Sequence, residues 1–442
     1  MRALAFVLVG LFALVQQPEA EALFNEAVEH ERAGELSRAI QLRVDLLDRH
    51  GESELAEPTL AALAWSHAAL AQYEPSAERY EQYARRYPKS KHAPEALQNA
   101  YLFRVGLGQT DAALRDLEDY EKLYERENPE LAARIFWSRQ TLLDTHKQRR
   151  EHALAYIQRY GRSGSIDRWL VAEATVAQID WRSSCAEPLL FDSCISLQGT
   201  ESSPKRCGEP GGDLIVAHPR KSKLAADAQA RFGRIISAIH KNSIKIPEYE
   251  YERQASFLDA WAMATVYQAD ADFEDFLRLE VPAKLDPGSV RMQEFVEHEL
   301  KLATELVERY AGVKQIRSVR WQTVGMSRVG LLYESFARQL GQAKVPSTVR
   351  GDAQVKSHCE QLAAWAQPVR DRAIEAWQYC LARATEYQLV DEYSRLCELR
   401  LAELDPRHPA THELFGEPSH APTRLRTVGV LPEDWTSPPG AI

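Results

Sequence analysis

Apolar positions in the first third of the chain recur with one period. Gly34, Ala71 and Gly108 are 37 residues apart. The same spacing joins Leu23, Leu60 and Leu97, then Ala39, Ser76 and Ala113, then Leu46, Tyr83 and Tyr120. A slightly longer fourth copy carries Trp137, Ala153 and Tyr160, each 40 residues after its counterpart. Within a copy, apolar residues fall at helical spacing on both sides of the small-residue corner. In the third copy, PEALQNAYLFRVGLG reads as one helix ending at a glycine, and QTDAALRDLEDYEKLY as the next. Gly108 supplies the corner, where a residue without Cβ turns the chain most cheaply. Ala113 is small where the two helices cross, and Leu117 and Tyr120 fill the gap toward the next copy. Pro88 and Pro94 fence the connection between copies, since proline cannot continue a helix interior.

Beyond the fourth copy, Arg168–Trp181 reads as another helix. From Ser183 to Pro219 the pattern stops, leaving three cysteines, four prolines and the string GEPGGD, which reads as a loop or small insertion. Helical periodicity resumes at Lys223 and continues through an amphipathic run from Val290 to Tyr310. Met326–Leu340 has the character of a first repeat helix, with Gly330 in the small slot. Its partner falls at Arg370–Ala384, with Ala373 and Trp377 in the small and large slots. The stretch QAKVPSTVRGDAQ between them reads as a loop, with a further helix from Lys356. Glu392–Leu404 forms the last helix. Seven prolines lie in the 37 residues after Asp405, predicting an extended tail.

A small-residue corner, an alanine in the second helix, a large residue a turn later and a proline between copies together resemble the tetratricopeptide repeat, whose period is about 34 residues. The resemblance is carried by residues Leu23–Tyr160. It implies an all-α fold, an α-solenoid of antiparallel helix pairs forming a right-handed superhelix with an open groove, here with a cysteine-containing loop insertion. A second resemblance is carried by YARRYPKSKHAPEALQNAYLFRVGLGQ, WRSSCAEPLLFDSC, GMSRVGLLYESFARQL and AIEAWQYCLARATEYQLVDEYSRLCELRLAELDP. These look like exported tetratricopeptide-repeat proteins of bacterial gliding-motility and envelope machinery. The expected organisation is a signal peptide at 1–22, a repeat array at 23–182, the insertion at 183–221, a second helical repeat region at 222–404 and the proline-rich tail at 405–442.

The N-terminus supports the export reading. Arg2 precedes an apolar run from Ala3 to Val15, too short to span a bilayer. Ala20-Glu21-Ala22 gives the small-x-small pattern of a cleavage site, which places the cut after Ala22. Removal leaves 420 residues and moves the net charge from −10 to −9. A mildly acidic chain without a long basic run is not built for nucleic acid or anionic lipid. No later segment is apolar enough to span a membrane. A periplasmic or outer-membrane-associated location is expected.

The chain lacks GxxxxGK[ST], HExxH, GxSxG and GxGxxG. Tyr333-Glu334-Ser335-Phe336 invites comparison with helical peptidoglycan-cleaving enzymes, which use a Glu-Ser pair beside an aromatic, with the Glu as general acid. Here the aromatic comes one residue early and no GLMQ-like segment follows, so Glu334 is expected on the polar face of a helix. His358 and Cys359 are adjacent and point in different directions on a helix, which argues against a nucleophile–base pair. Cys185, Cys194 and Cys207 have no zinc-site spacing. No catalytic residue, metal or cofactor is expected.

Outside the inner membrane, cysteines pair. Cys185 and Cys194 are expected to close a short proline-containing loop. Cys380 and Cys397 are nearly symmetric about the turn near Leu389 and would face each other across two helices. Cys207 and Cys359 remain, paired over a long range or free. In tetratricopeptide arrays the first, or A, helices line the groove. By that resemblance Phe24, Trp65, Asn99, Leu102 and Arg139 form the partner-binding surface; alternatively, Phe24 and Trp65 pack between neighbouring A helices. The expected function is a non-enzymatic protein-interaction scaffold of an envelope assembly for motility, adhesion or transport. Its partners are proteins and no small-molecule ligand is expected. The alternatives are a peptidoglycan-cleaving envelope enzyme and a carrier of an exported peptide.

Overall fold

The computed structural model describes residues 18–409 other than 187–189, 191, 200–206, 208–212, 280 and 283–285, with side chains described at all of these except 162–163, 197–199 and 213–214. The apolar run at residues 3–15 and the tail from residue 410 lie outside the described residues. The chain divides between Asp144 and Thr145 into two compact units. The division falls between the two helices of the fourth copy.

The first unit is a run of helix hairpins. Its helices are α1 (residues 18–32), α2 (Leu36–His50), α3 (Ala56–Ala69), α4 (Tyr73–Arg86), α5 (Ala93–Gly106), α6 (Thr110–Tyr124) and α7 (Pro129–Ser138), followed by a 3₁₀ turn, Arg139–Leu142. Each helix packs on the next. The repeat slots lie in the core: Ala39, Ser76 and Ala113 are closed to solvent, as are Leu46, Tyr83 and Tyr120. The second, or B, helices α2, α4 and α6 bury one stripe each, as an amphipathic surface helix does. The A helices α3 and α5 bury several sides, including Leu60, Ala62, Leu63, Ala64 and Ser66 in α3. Arg43 of α2 crosses to α3, donating to Ser66 Oγ and pairing with Glu31.

The corners have one geometry. Gly34, Ala71 and Gly108 each have positive φ, at 79°, 57° and 72°. The amide of Ala71 donates to the carbonyl of Ala68 at 2.9 Å, and that of Gln72 to His67 at 2.9 Å. The same two bonds occur at Gly34 and Glu35, and at Gly108 and Gln109. This is the Schellman ending, which satisfies the last carbonyls of a helix and turns the chain back. A side-chain clasp spans each corner. His30 Nδ1 lies 2.6 Å from the Glu35 carboxylate, His67 Nδ1 lies 2.7 Å from Gln72 Oε1, and Arg104 donates to Gln109 Oε1 at 2.6 Å.

The fourth copy departs from its expected register. Its A helix α7 starts 36 residues after α5, so Ala133, not Trp137, takes the slot of Leu97. Its B-helix slots, Ala153 and Tyr160, keep the spacing of 40 and are buried. The 3₁₀ turn after Ser138 absorbs the difference.

The second unit comprises α8 (His146–Arg159), α9 (Gly161–Gly164), α10 (Ile166–Ser184), β1 (Ile195–Gly199), β2 (Asp213–Ala217), α11 (Ser222–Asn242), α12 (Tyr251–Leu277), α13 (Val290–Ala311), α14 (Val319–Gly341), α15 (Asp352–Glu386) and α16 (Glu392–Leu404). Helix α14 is central and buried almost all round from Thr323 to Ala337. It packs along α15 over the longest interface of the unit. Arg328 of α14 is 0 % exposed and pairs with Asp270 of α12, which also accepts the hydroxyl of Tyr310 at 2.7 Å. Asp270 answers part of the cost of burying the Arg328 charge.

Two expectations change here. The stretch 342–354 is not a full loop before two helices: Asp352–Glu386 is one helix of 35 residues running through Pro368. Pro368 is exposed, so the carbonyl left without its N–H partner one turn earlier faces water. Leu362, Ala366, Val369 and Ala373 keep the buried stripe unbroken past it. The insertion at 183–221 is not only loop: β1 and β2 pair antiparallel, Ile195 opposite Ala217. Arg220 fastens the hairpin's end. It forks onto Glu274 at 2.6 and 2.7 Å and lies 3.7 Å above the Trp181 ring.

Candidate functional site

The expected groove residues separate on folding. Phe24 on α1, Trp65 on α3 and Leu102 on α5 are half-buried, each with part of its side chain open to solvent. Val28, Trp65 and Leu102 are 37 residues apart and occupy the same position in successive A helices. They form a half-exposed apolar row along that face of the unit. Val28 was missed, although the spacing that aligned the core slots also points to it. Arg139 follows at the same spacing and is half-buried, but it opens the 3₁₀ turn beyond α7 rather than standing on an A helix. The short helix α7 ends at Ser138 and leaves it there. Asn99 is 5 % exposed and belongs to the packing beside Tyr80, not to the surface. It lies three residues before Leu102 on α5 and reaches Tyr80 of α4 instead of the open face.

The same unit also holds a charged cleft of about 580 Å³ between α4 and α6. Arg104 sits at its base, with Nε donating to Glu81 at 2.8 Å, and Gln109 donates to Glu74 at 2.7 Å. Asp116 of α6 lines the cleft, is 4 % exposed, and its Oδ2 has no hydrogen-bond partner among the described residues. Burial, helped by the nearby charge of Glu81, raises its carboxyl to about 8; Arg104 opposes the shift. Sequence reading passed over Asp116 because its neighbours make it look like one more acid of a solvated helix face.

In the second unit, all six cysteines are bonded. Cys185–Cys194, Cys207–Cys359 and Cys380–Cys397 have Cα separations of 5.6, 5.2 and 6.0 Å, within the range a disulfide requires. The long-range pair ties the insertion to α15, and the Cys207 amide donates to Ala343 at 3.0 Å. Cys359 therefore offers no thiol, and burial lowers the proton affinity of adjacent His358. Glu334 is not on a polar face. It is 1 % exposed, accepts from Arg400 Nε at 3.1 Å and from Trp377 Nε1 at 3.2 Å, and pairs with Arg338 at 3.0 Å. A carboxylate held among these donors has no opening to a substrate and serves the packing of α14, α15 and α16. Among the described residues, no group of three or more His, Cys, Asp or Glu side chains is placed to hold a metal ion. None of the described helices is long and apolar enough to cross a membrane.

No protein-family model matches the chain, and no curated protein matches it in sequence. Among solved structures, it is similar to a tetratricopeptide repeat protein from Parabacteroides merdae, with 13% identity over 78% of this chain and 98% of that one, at a TM-score of 0.29. It is also similar to yeast Tom70, with 12% identity over 89% of this chain and 82% of that one, at a TM-score of 0.24. The fold assignment rests on the chain's own geometry: stacked helix pairs, left-handed corners and a 37-residue register make the first unit tetratricopeptide-like.

Proposed function

We propose that the protein is a non-enzymatic scaffold that holds a partner polypeptide on the A-helix face of its first unit. The row formed by Val28, Trp65 and Leu102 carries this reading. Its members repeat at one position in successive helices and keep part of their apolar surface in water. An extended segment or helix laid across the A helices would meet one such contact per repeat. Arg139 beyond the row would add a charge that sets register.

We further propose that the protein works outside the inner membrane of a bacterial envelope, in a motility, adhesion or transport assembly. The pairing of all six cysteines supports an oxidising compartment. The apolar run before Ala20-Glu21-Ala22 supports export. The kind of assembly rests on sequence resemblance alone.

The test compares the full chain, the Trp65→Ala/Arg139→Glu variant and Arg139→Glu alone for recovery of partners from native envelopes. Loss of one specific partner by the double variant, at an unchanged unfolding midpoint, supports the reading. Full recovery by folded double variant overturns the assignment of this face. Trp65→Ala should remove about 1–2 kcal/mol of binding if it is an anchor.

A further inference from the structure

The cleft between α4 and α6 contains an acid whose Oδ2 no hydrogen-bond donor reaches among the described residues. Asp116 is buried at its wall and Oδ2 lacks a donor. A buried polar atom without a partner costs free energy, so such an atom calls for an explanation. The nearby cations do not supply one. Arg104 donates to Glu81 and Gln109. Arg85 pairs with Glu81 at 3.2 Å. Arg115, the residue before Asp116 on α6, lines the cleft but does not donate to Oδ2. The lining carries five acids, Glu74, Glu81, Asp111, Asp116 and Asp119, against three arginines, Arg85, Arg104 and Arg115. The excess is negative, and the cleft has room for a side chain.

We propose that this cleft receives the guanidinium of an arginine on a partner polypeptide, bound by Asp116 and Asp119. Asp119 is one helical turn from Asp116 and lines the same cleft. Two carboxylates on one face present several acceptors, which a flat group with five donors can span. A guanidinium is also more weakly hydrated than an ammonium, so it enters a buried position at lower cost. A metal ion is disfavoured because no group of metal-ligating side chains converges here among the described residues. The two carboxylates lie on α6, and none of Val28, Trp65 and Leu102 lines the cleft.

Binding must ionise Asp116, which is mostly protonated at neutral pH because its carboxyl titrates at about 8. The charged groups facing it are Glu81 and Arg85 of α4, Arg104 of α5 and Asp119 of its own helix. Occupation should therefore release a proton and strengthen as pH rises.

The experiment is calorimetric titration of the full chain with N-acetyl-arginine amide, N-acetyl-citrulline amide and a nine-residue alanine-glycine peptide bearing one arginine. Expected are one site per chain, no binding of the uncharged citrulline probe, and affinity rising at least about tenfold from pH 6.5 to 8.5. The peptide should bind at least about tenfold tighter than the single residue; equal affinity would assign the site to a small free guanidinium compound and overturn the polypeptide ligand. Asp116→Asn should weaken binding at least about tenfold. Equal binding by folded Asp116→Asn, or by citrulline, overturns the proposal. Should that variant not fold, proton release by the unaltered chain, read from heats in buffers of different ionisation enthalpy, still decides: no release at pH 7 overturns it.

Discussion

Gly330 of α14 lies flat against the indole of Trp377 in α15, so that a Cβ on Gly330 would stand 2.5 Å from Trp377 Cε2. Only a residue without a side chain permits this approach. The indole cannot easily retreat, because it is fully buried and its Nε1 is bonded to Glu334. We expect Gly330→Ala to destabilise the second unit by about 1–3 kcal/mol, the range for overpacking a core. Chemical denaturation followed by tryptophan fluorescence would measure it. In a double-mutant cycle, Trp377→Leu should absorb part of the loss; strictly additive effects would mean the two residues do not press on each other.

The corners of the first unit differ in one informative way. Gly34 and Gly108 adopt positive φ, and a Cβ at either would meet nothing within 4 Å. Ala71 holds the same conformation with a Cβ. A left-handed backbone costs an L-residue roughly 1–2 kcal/mol, so Ala71→Gly should stabilise the unit by about 1 kcal/mol. Gly34→Ala and Gly108→Ala should each lose a similar amount. Thermal unfolding of the three variants checks the pattern, and a destabilised Ala71→Gly would contradict it.

The corners also show what could be read in advance. A 37-residue spacing exposes the slots because small residues must recur wherever two helices cross or a chain turns back, as at Ala39, Ser76 and Ala113. The clasps spanning those corners keep the same spacing, but His, His and Arg opposite Glu, Gln and Gln share only the ability to hydrogen-bond. In the second unit local pattern carried less. The segments from Lys356 and from Arg370 read as separate helices because nothing in the sequence says that they join through Pro368 on a face that meets water. Glu334 looked like a surface acid because its partner Arg400 is 66 residues away. The β1–β2 hairpin depends on Arg220 meeting Trp181 and Glu274, contacts made only after the chain has folded back.

Asp116 should make stability depend on pH. The free carboxyl titrates near 3.8 and the folded one at about 8. Between these values the folded chain holds a proton that the unfolded chain has released. Stability contributed here is therefore full below the lower value and lost as pH rises toward the upper one, by at most about 1.4 kcal/mol per pH unit. Asp116→Asn cannot ionise and should gain on the unaltered protein steadily from pH 5 to 8. Urea melts of both proteins across that range would show the gap widen with pH. A gap that stays constant would mean that Asp116 titrates alike in the folded and unfolded chains.

Reduction should separate the two units in behaviour. Every cysteine lies at or beyond position 185, within the second unit, and all are bonded. The loop-closure model gives about 5 kcal/mol for Cys207–Cys359, about 3 for Cys380–Cys397 and about 2.5 for Cys185–Cys194, because longer loops lose more freedom when closed. The sequence separations are 152, 17 and 9 residues. Hydrogen exchange before and after reduction should show faster exchange in α10, α12, α15 and α16, with α3 to α6 unchanged. Among Ser replacements of each pair, Cys207→Ser/Cys359→Ser should cost most, since it also releases the insertion from α15. Loosening that began in α3 to α6 would mean that the first unit draws its stability from bridges it does not contain.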